Sequence, residues 1–215
     1  MSSATRPFDL EQLRQALARA QGAPIVAHGP SPSVSAVVAA IVRQTRAGAE
    51  ILLIRRAEDE RDPWSGHMAL PGGHRDPDDR DLVATAWRET LEEVGLDLAR
   101  DAELLGPLES ARAISGRRPP FDIHPFVFAL AGEVEPRANP REVHAIVWAK
   151  LDHLLSPAAR TSIAHPIPGA EPRLLPAFDV DGHVVWGLTY RILSNLLQLS
   201  GMASPAPHDP RSRRG

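Results

Sequence analysis

Apolar residues recur along this chain at two spacings, near 3.6 and near 2, and the alternation between them predicts its elements. Phe8, Leu10, Leu13 and Leu17 lie at helical spacing and predict a helix over residues 8–20. Residues 24–32 begin and end with proline and read as a linker. Residues 34–42 and 51–54 read as strands flanking an Arg-Ala-Gly-Ala turn. Residues 126–130 and 145–149 predict further strands, and 104–108 a weaker one, because Gly106 and Pro107 interrupt it. A second long helix is predicted over residues 184–199, through Leu188, Ile192, Leu193, Leu196 and Leu197. Elements in this order suit an α/β fold, a mixed sheet sandwiched between helices. No internal repeat is present, and residues 203–215 have no periodicity. The expected organisation is an N-terminal helix and linker over residues 1–30, one domain over 31–200, and a disordered tail over 201–215.

The helix that follows Leu-Pro-Gly-Gly at residues 70–73 carries more than a packing stripe. Val83, Trp87, Thr90 or Leu91, and Val94 recur at helical spacing and are expected to face the core. Asp78 or Asp79 can cap its start, with Pro77 on the approach, and Gly95 is placed to end it. On the other side, at about 100° per residue, Glu89, Glu92 and Glu93 fall within roughly a third of the circumference. Such like charges repel unless they share a cation. Carboxylate oxygens are the hard ligands that Mg²⁺ prefers, and Mg²⁺ leaves its other positions to water and substrate phosphate. Arg88 can neutralise and orient a carboxylate, and Gly72 and Gly73, without Cβ atoms, let backbone approach metal or phosphate. An acidic helix face is most often only solvated. The complete spacing, joined to the Gly-Gly turn, favours a metal site.

Composition narrows the classes. The 215 residues are 43% hydrophobic with a net charge of -3, which describes a soluble globular protein with no global attraction to nucleic acid. Only Lys150 among 24 basic residues is a lysine, so phosphate recognition would be local and arginine-based. The absence of cysteine excludes disulfides, thiolate metal sites and cysteine nucleophiles. No apolar stretch has membrane-spanning length and residues 1–7 lack a signal core, so a cytoplasmic location is expected and no membrane partner. The 21 prolines argue for long, stiffened loops.

Gly73, Arg88, Glu89, Glu92, Glu93, Gly95 and Leu96 resemble the signature of the Nudix hydrolases, which cleave nucleoside diphosphates linked to another moiety. In the usual spacing a glutamate stands eight residues before the arginine; here Arg80 holds that position, Asp79 lies one earlier, and Gly73 to Arg88 is one residue longer. The resemblance implies an α/β/α sandwich, a Mg²⁺ cofactor for which Mn²⁺ can substitute, and a small-molecule diphosphate substrate. It implies metal ligation by Glu92 and Glu93, with Glu89 as a further ligand or the group that orients or deprotonates water, and with Gly73 contributing backbone. Glu142 and Glu109 are candidates for a further carboxylate from a loop. A homodimer is compatible with the sequence but not specified by it.

Several stretches resemble coenzyme A pyrophosphatase-like members of that family. Residues 55–70 contain Arg56, Arg61 and Trp-Ser-Gly-His-Met-Ala-Leu before the Pro-Gly-Gly, although Leu70 stands where Phe is usual. Residues 124–127, 139–143 and 185–193 agree better. Candidate substrate-binding residues are therefore Arg56, Arg61, Gly72 and Gly73, with Arg117 and Arg118 placed to meet an extra phosphate such as the 3′-phosphate of coenzyme A. His67, His74 and Trp64 lie close enough in sequence to touch substrate, but the bland reading is a solvated or anchoring side chain; Trp148 and Trp186 read as core. Hydrolysis of ADP-ribose or a nucleotide sugar by the same carboxylates is the alternative, and an inactive nucleotide-binding regulatory module is a second one, opposed by the retention of Glu89, Glu92 and Glu93.

Overall fold

A computed structural model describes residues 7–20, 35–60, 62, 64–115, 118–167 and 170–201. Their elements run α1 (Leu10–Ala20), β1 (Ser35–Thr45), β2 (Gly48–Arg56), β3 (Met68–Ala69), β4 (Gly72–His74), α2 (Leu82–Val94), α3 (Leu98–Asp101), β5 (Ala102–Pro107) and β6 (Ala111–Ser115). They continue with β7 (Arg118–Leu130), β8 (Val143–Lys150), α4 (Leu151–Leu155), a 3-10 turn (Pro157–Ala159), β9 (Arg160–Ile167), β10 (Ala170–Val180), β11 (His183–Trp186) and α5 (Gly187–Leu199).

Strand β1 is apolar on both faces, as a strand covered on both sides must be. Val37, Ala39 and Ile41 pack with Leu52, Ile54, Phe126 and Phe128 under Ala86, Val94, Leu96 and Leu98 from the α2–α3 side. Ala40 and Val42 face the other way, with Leu53 and Val127, toward Leu13 and Leu17 of α1, Leu151 and Leu154 of α4, and Leu193 and Leu196 of α5. The result is the helix–sheet–helix sandwich that the hydrophobic pattern predicts. The sheet is mixed: β7 runs parallel to β1, from Ser35 opposite Asp122 to Val42 opposite Ala129, and every other pairing is antiparallel. No helix among the described residues is long and apolar enough to cross a membrane.

The other edge of β1 is divided. Strand β2 pairs with it only from Val42 opposite Ile51 to Thr45 opposite Gly48. Beyond that the two strands part, and one short segment fills the gap. Met68 and Ala69 pair with Arg55 and Ile54 of β2, while Gly72, Gly73 and His74 pair with Val38, Val37 and Ala36 of β1. The Pro71 carbonyl between them accepts from Ala39 N at 2.8 Å. The glycine turn is thus built into the sheet. Strands β9 to β11 form a separate antiparallel sheet, and α5 after it reaches back: Thr189 Oγ1 donates to Met68 O at 3.1 Å.

Some elements differ from the pattern's prediction. Residues 184–186 belong to β11, where Val185 is buried and Val184 is 39% exposed, an alternation that the longer helical pattern masks. The cap of α2 is Asp81, which accepts from Ala84 N at 2.8 Å, not Asp78 or Asp79. The core side of α2 is rotated: Ala86, Thr90 and Val94 are buried, Val83 and Trp87 are partly buried, and Leu91 is 52% exposed. That rotation turns Glu93 inward.

Thr90 is fully buried and its hydroxyl has no hydrogen-bond partner. An unsatisfied buried polar group costs roughly 1–3 kcal/mol. Thr90→Val should therefore stabilise the fold by about 1 kcal/mol, read as a higher urea midpoint at unchanged slope; a lower midpoint would show that the hydroxyl is satisfied in solution.

Candidate active site

Both ends of α2 are fixed by backbone chemistry. At its C-terminus Gly95 adopts a left-handed conformation, φ 66°, and donates to Leu91 O at 3.0 Å. Arg137 N and Asn139 N then donate to the carbonyls of Val94 and Glu93, each at 2.8 Å. The loop before β8 thereby satisfies carbonyls that a helix end would otherwise leave open.

Glu93 is 3% exposed, and its Oε2 accepts from Gly72 N at 2.8 Å. Burial pushes its carboxyl up to about 8, against the pull of the Gly72 N–H and of the nearby Arg56 charge. Gly72 has φ 145°, and a side chain there would run into the Val37 carbonyl of β1. Next to it, a Cβ on Gly73 would stand 2.5 Å from Glu89 Cδ. Without Cβ atoms, these glycines let β1 and the Glu89 carboxylate approach the backbone closely. Burial also raises Glu89, and the adjoining Arg88 opposes that rise. Glu92 is the exposed member, on the outer side of the same helix.

One guanidinium organises this face. Arg88 Nη1 donates to Glu89 Oε1 at 2.9 Å and to Glu92 Oε2 at 3.2 Å. Its Nε and Nη2 meet the two oxygens of Asp79 at 3.1 and 3.0 Å, and Nη2 also donates to His74 O at 3.0 Å. Asp79 is 8% exposed, and Arg88 holds its carboxyl well below the usual range, at about 2. Asp79 is therefore the anchor of Arg88. Its contact to Arg88 needs the 75–81 loop to fold back, which no spacing rule encodes.

The remaining candidates separate. Glu142 lies on the loop tied to the end of α2, close enough that its charge raises both Glu89 and Glu93. Glu109 lines a cavity of about 210 Å³ with Tyr190, Arg191 and Asn195, away from these carboxylates. Arg56 forks Asp62 Oδ2 at 3.1 and 2.7 Å and faces Glu93 electrostatically. Arg61 and Arg117 lie outside the described residues, and Arg118 is described only as backbone, paired with Ser115 in the β6–β7 hairpin. His67 packs its ring 5.1 Å from Trp186, and burial lowers its pKa. His74 and Trp64 pack on Phe121, with centroids 4.8 and 6.0 Å away, so both anchor a small aromatic cluster. Trp148 lies under Arg43, whose guanidinium carbon is 3.8 Å from the ring centre.

Among the described residues no three acidic or histidine side chains converge on one point that could hold an ion. Arg88 Nη1 stands between Glu89 and Glu92 and supplies a positive charge they share. The donor chemistry nonetheless fits a hard divalent ion. Mg²⁺ is commonly bound through one or two carboxylates plus substrate and water, and Glu93 is a buried carboxyl whose ionised form a cation would favour.

The Asp79–Arg88 pair carries its own stability signature. A folded-state pKa near 2 against an ordinary 3.8 means a contribution fully present above pH 4 and lost as pH falls through 2. Asp79→Asn should cost roughly 2 kcal/mol at pH 7 and flatten the acid limb of the stability curve. Denaturation midpoints at pH 3 to 7 measure this, and an unchanged acid limb would contradict the pairing.

Known proteins resemble this chain over its central span. The NUDIX domain family model matches residues 33–168. An uncharacterized protein of Schizosaccharomyces pombe is 42% identical over 116 residues, which is 53% of this chain but only 35% of that relative's length. The uncharacterized Nudix hydrolase NudL of Yersinia pestis is 32% identical over 148 residues, 69% of this chain and 71% of NudL. Among solved structures, a Caenorhabditis elegans Ap4A hydrolase aligns at TM-score 0.47 and 22% identity over 55% of this chain and 81% of its own. A MutT NUDIX hydrolase from Burkholderia pseudomallei aligns at TM-score 0.42 and 31% identity over 55% and 84%. The family match begins just ahead of β1 and ends with β9, taking in α2 and the Glu142 loop, and on that span the chain belongs to the Nudix domain family.

Proposed function

We propose that this chain is a divalent-metal-dependent pyrophosphohydrolase of nucleoside diphosphate derivatives, acting on coenzyme A or acyl-coenzyme A as a cytoplasmic enzyme. The observation that carries the hydrolytic reading is the meeting of Glu89 and Glu93 at the Gly72–His74 strand, with Glu92 on the same helix and the Glu142 charge close by. A P–O–P bridge resists hydrolysis because its anionic oxygens repel the attacking water. Glu93, Glu89 and Glu92, with Glu142 and the Gly73 backbone as further donors, would hold Mg²⁺ or Mn²⁺, and the bound ion would supply the charge that masks those oxygens.

The chain's own groups then have definite tasks. Water adds to one phosphorus, the bridging P–O bond breaks, and the leaving phosphate departs with the electron pair. Glu89, raised by burial and steadied by Arg88, is the carboxylate suited to orient the water and take its proton. Arg88, anchored on Asp79, keeps Glu89 and Glu92 from swinging apart. The Gly72 N–H fixes Glu93.

For coenzyme A the support is of a different kind. Two of the stretches that resemble that subgroup, around residues 55–70 and 185–193, are distant in sequence yet touch: Thr189 bonds the Met68 carbonyl and Trp186 packs on His67. Both border the glycine segment, so they can form one wall for the part of the substrate beyond the diphosphate. Arg56, Arg61, Arg117 and Arg118 remain the proposed contacts for its phosphates.

Glu92→Gln and Glu93→Gln should each lower kcat by about two orders of magnitude or more, the usual consequence of losing a charge-stabilising group, with chelation abolishing turnover. Near-normal rates for both variants at saturating Mg²⁺ would remove the assignment. On substrates, coenzyme A should exceed ADP-ribose in kcat/KM, and 3′-dephospho-coenzyme A should be cleaved less efficiently, because charge-assisted hydrogen bonds to the 3′-phosphate contribute roughly 1.5–3 kcal/mol each. Product masses from a parallel screen decide it; faster ADP-ribose cleavage would overturn the coenzyme A reading and leave the hydrolase reading intact.

A further inference from the structure

Asn139 uses every polar group it has, on its own turn and on the end of α2. Its N–H donates to the Glu93 carbonyl at 2.8 Å, and its own carbonyl accepts from Glu142 N at 3.0 Å and Val143 N at 2.8 Å. Its Oδ1 accepts from Arg141 N at 3.2 Å. These bonds fold the turn and tie it to the end of α2. The remaining group does neither: Nδ2 donates to Glu142 Oε1 at 3.2 Å. From the other side, the Glu142 carbonyl accepts from Ala57 N, just past the end of β2, at 2.8 Å.

The backbone of Glu142 is therefore held by β2, and its side chain by Asn139. A lone exposed glutamate would turn away from two carboxylates of its own sign. Glu89 and Glu93 both feel the Glu142 charge, so the pull outward exists here. The amide donor opposes it. We propose that Asn139 is a positioning residue that links the C-terminus of α2 to Glu142 and restrains that carboxylate beside the end of α2, so that it has less far to move when a cation binds. This rests on the reading of Glu142 as a metal donor. Partners that orient a metal ligand typically change affinity by 10–100-fold when removed, and this exposed bond belongs at the low end.

The test is calorimetric titration of MnCl₂ into the chelator-treated full chain. Wild type, Asn139→Ala, Glu142→Gln and the double variant are compared, each with its thermal midpoint. Each single substitution should weaken Mn²⁺ binding by roughly tenfold, and the double variant should bind no more weakly than Glu142→Gln alone. Asn139→Ser retains a short acceptor for the turn but not the reach to Glu142, so it should melt near wild type and bind Mn²⁺ as poorly as Asn139→Ala; it carries the test if the alanine variant does not fold. Additive losses in the double variant, or wild-type affinity in Asn139→Ser, would overturn the positioning role. Unchanged affinity in Glu142→Gln would overturn the reading of Glu142 itself and leave Asn139 nothing to position.

Discussion

A carboxyl group taken out of water needs a partner, and the arrangement of this site follows from how Glu93 obtains one. Its donor is the N–H of Gly72. That N–H can face α2 only because β1 and β2 diverge and the glycine segment enters the gap between them as a short strand. The position must be glycine, since a Cβ would meet the Val37 carbonyl. Inward rotation of Glu93 in turn brings Thr90 and Ala86 into the core and leaves Leu91 outside. Backbone pairing, helix rotation and the protonation behaviour of one carboxyl are thus a single solution.

The acidic face is a compromise between repulsion and use. One arginine serves three carboxylates, and the most buried of them, Asp79, takes its bidentate side. Asp79 is the structural partner; Glu89 and Glu92 receive the remaining Nη1 and so keep lone pairs free. Replacing Arg88 by lysine would preserve charge but not this division, because an ammonium has no fork to split between an anchor and two further acceptors.

Much of the frame is legible in the order of amino acids alone. Strand β1 announces itself as a continuous apolar run, helices α1 and α2 through periodicity, and Gly95 through the left-handed turn that only glycine adopts without cost. The β9–β10 hairpin does not, because Pro166, Pro172 and Pro176 interrupt its alternation. The true cap Asp81 is hidden among several neighbouring aspartates, any of which has the right chemistry. At the site, the glutamates are legible because their spacing lies within one helix. The Asp79 clamp and the Asn139 turn are not, since each depends on a loop folding back across space. Glu142 is visible only through family resemblance.

Thr189, which bonds the Met68 carbonyl, lies 121 residues downstream of it, and β7, the parallel neighbour of β1, is also remote in sequence. Contacts of this separation require long loops to close before they return any stabilisation. Helix α2, by contrast, is closed by local bonds and by caps at its own ends. The glycine segment beside it gains its full set of neighbours only when α5 has been made and docked. The carboxylates of α2 thus share one helix, whereas the wall that would receive a substrate is closed by contacts between segments far apart in the chain.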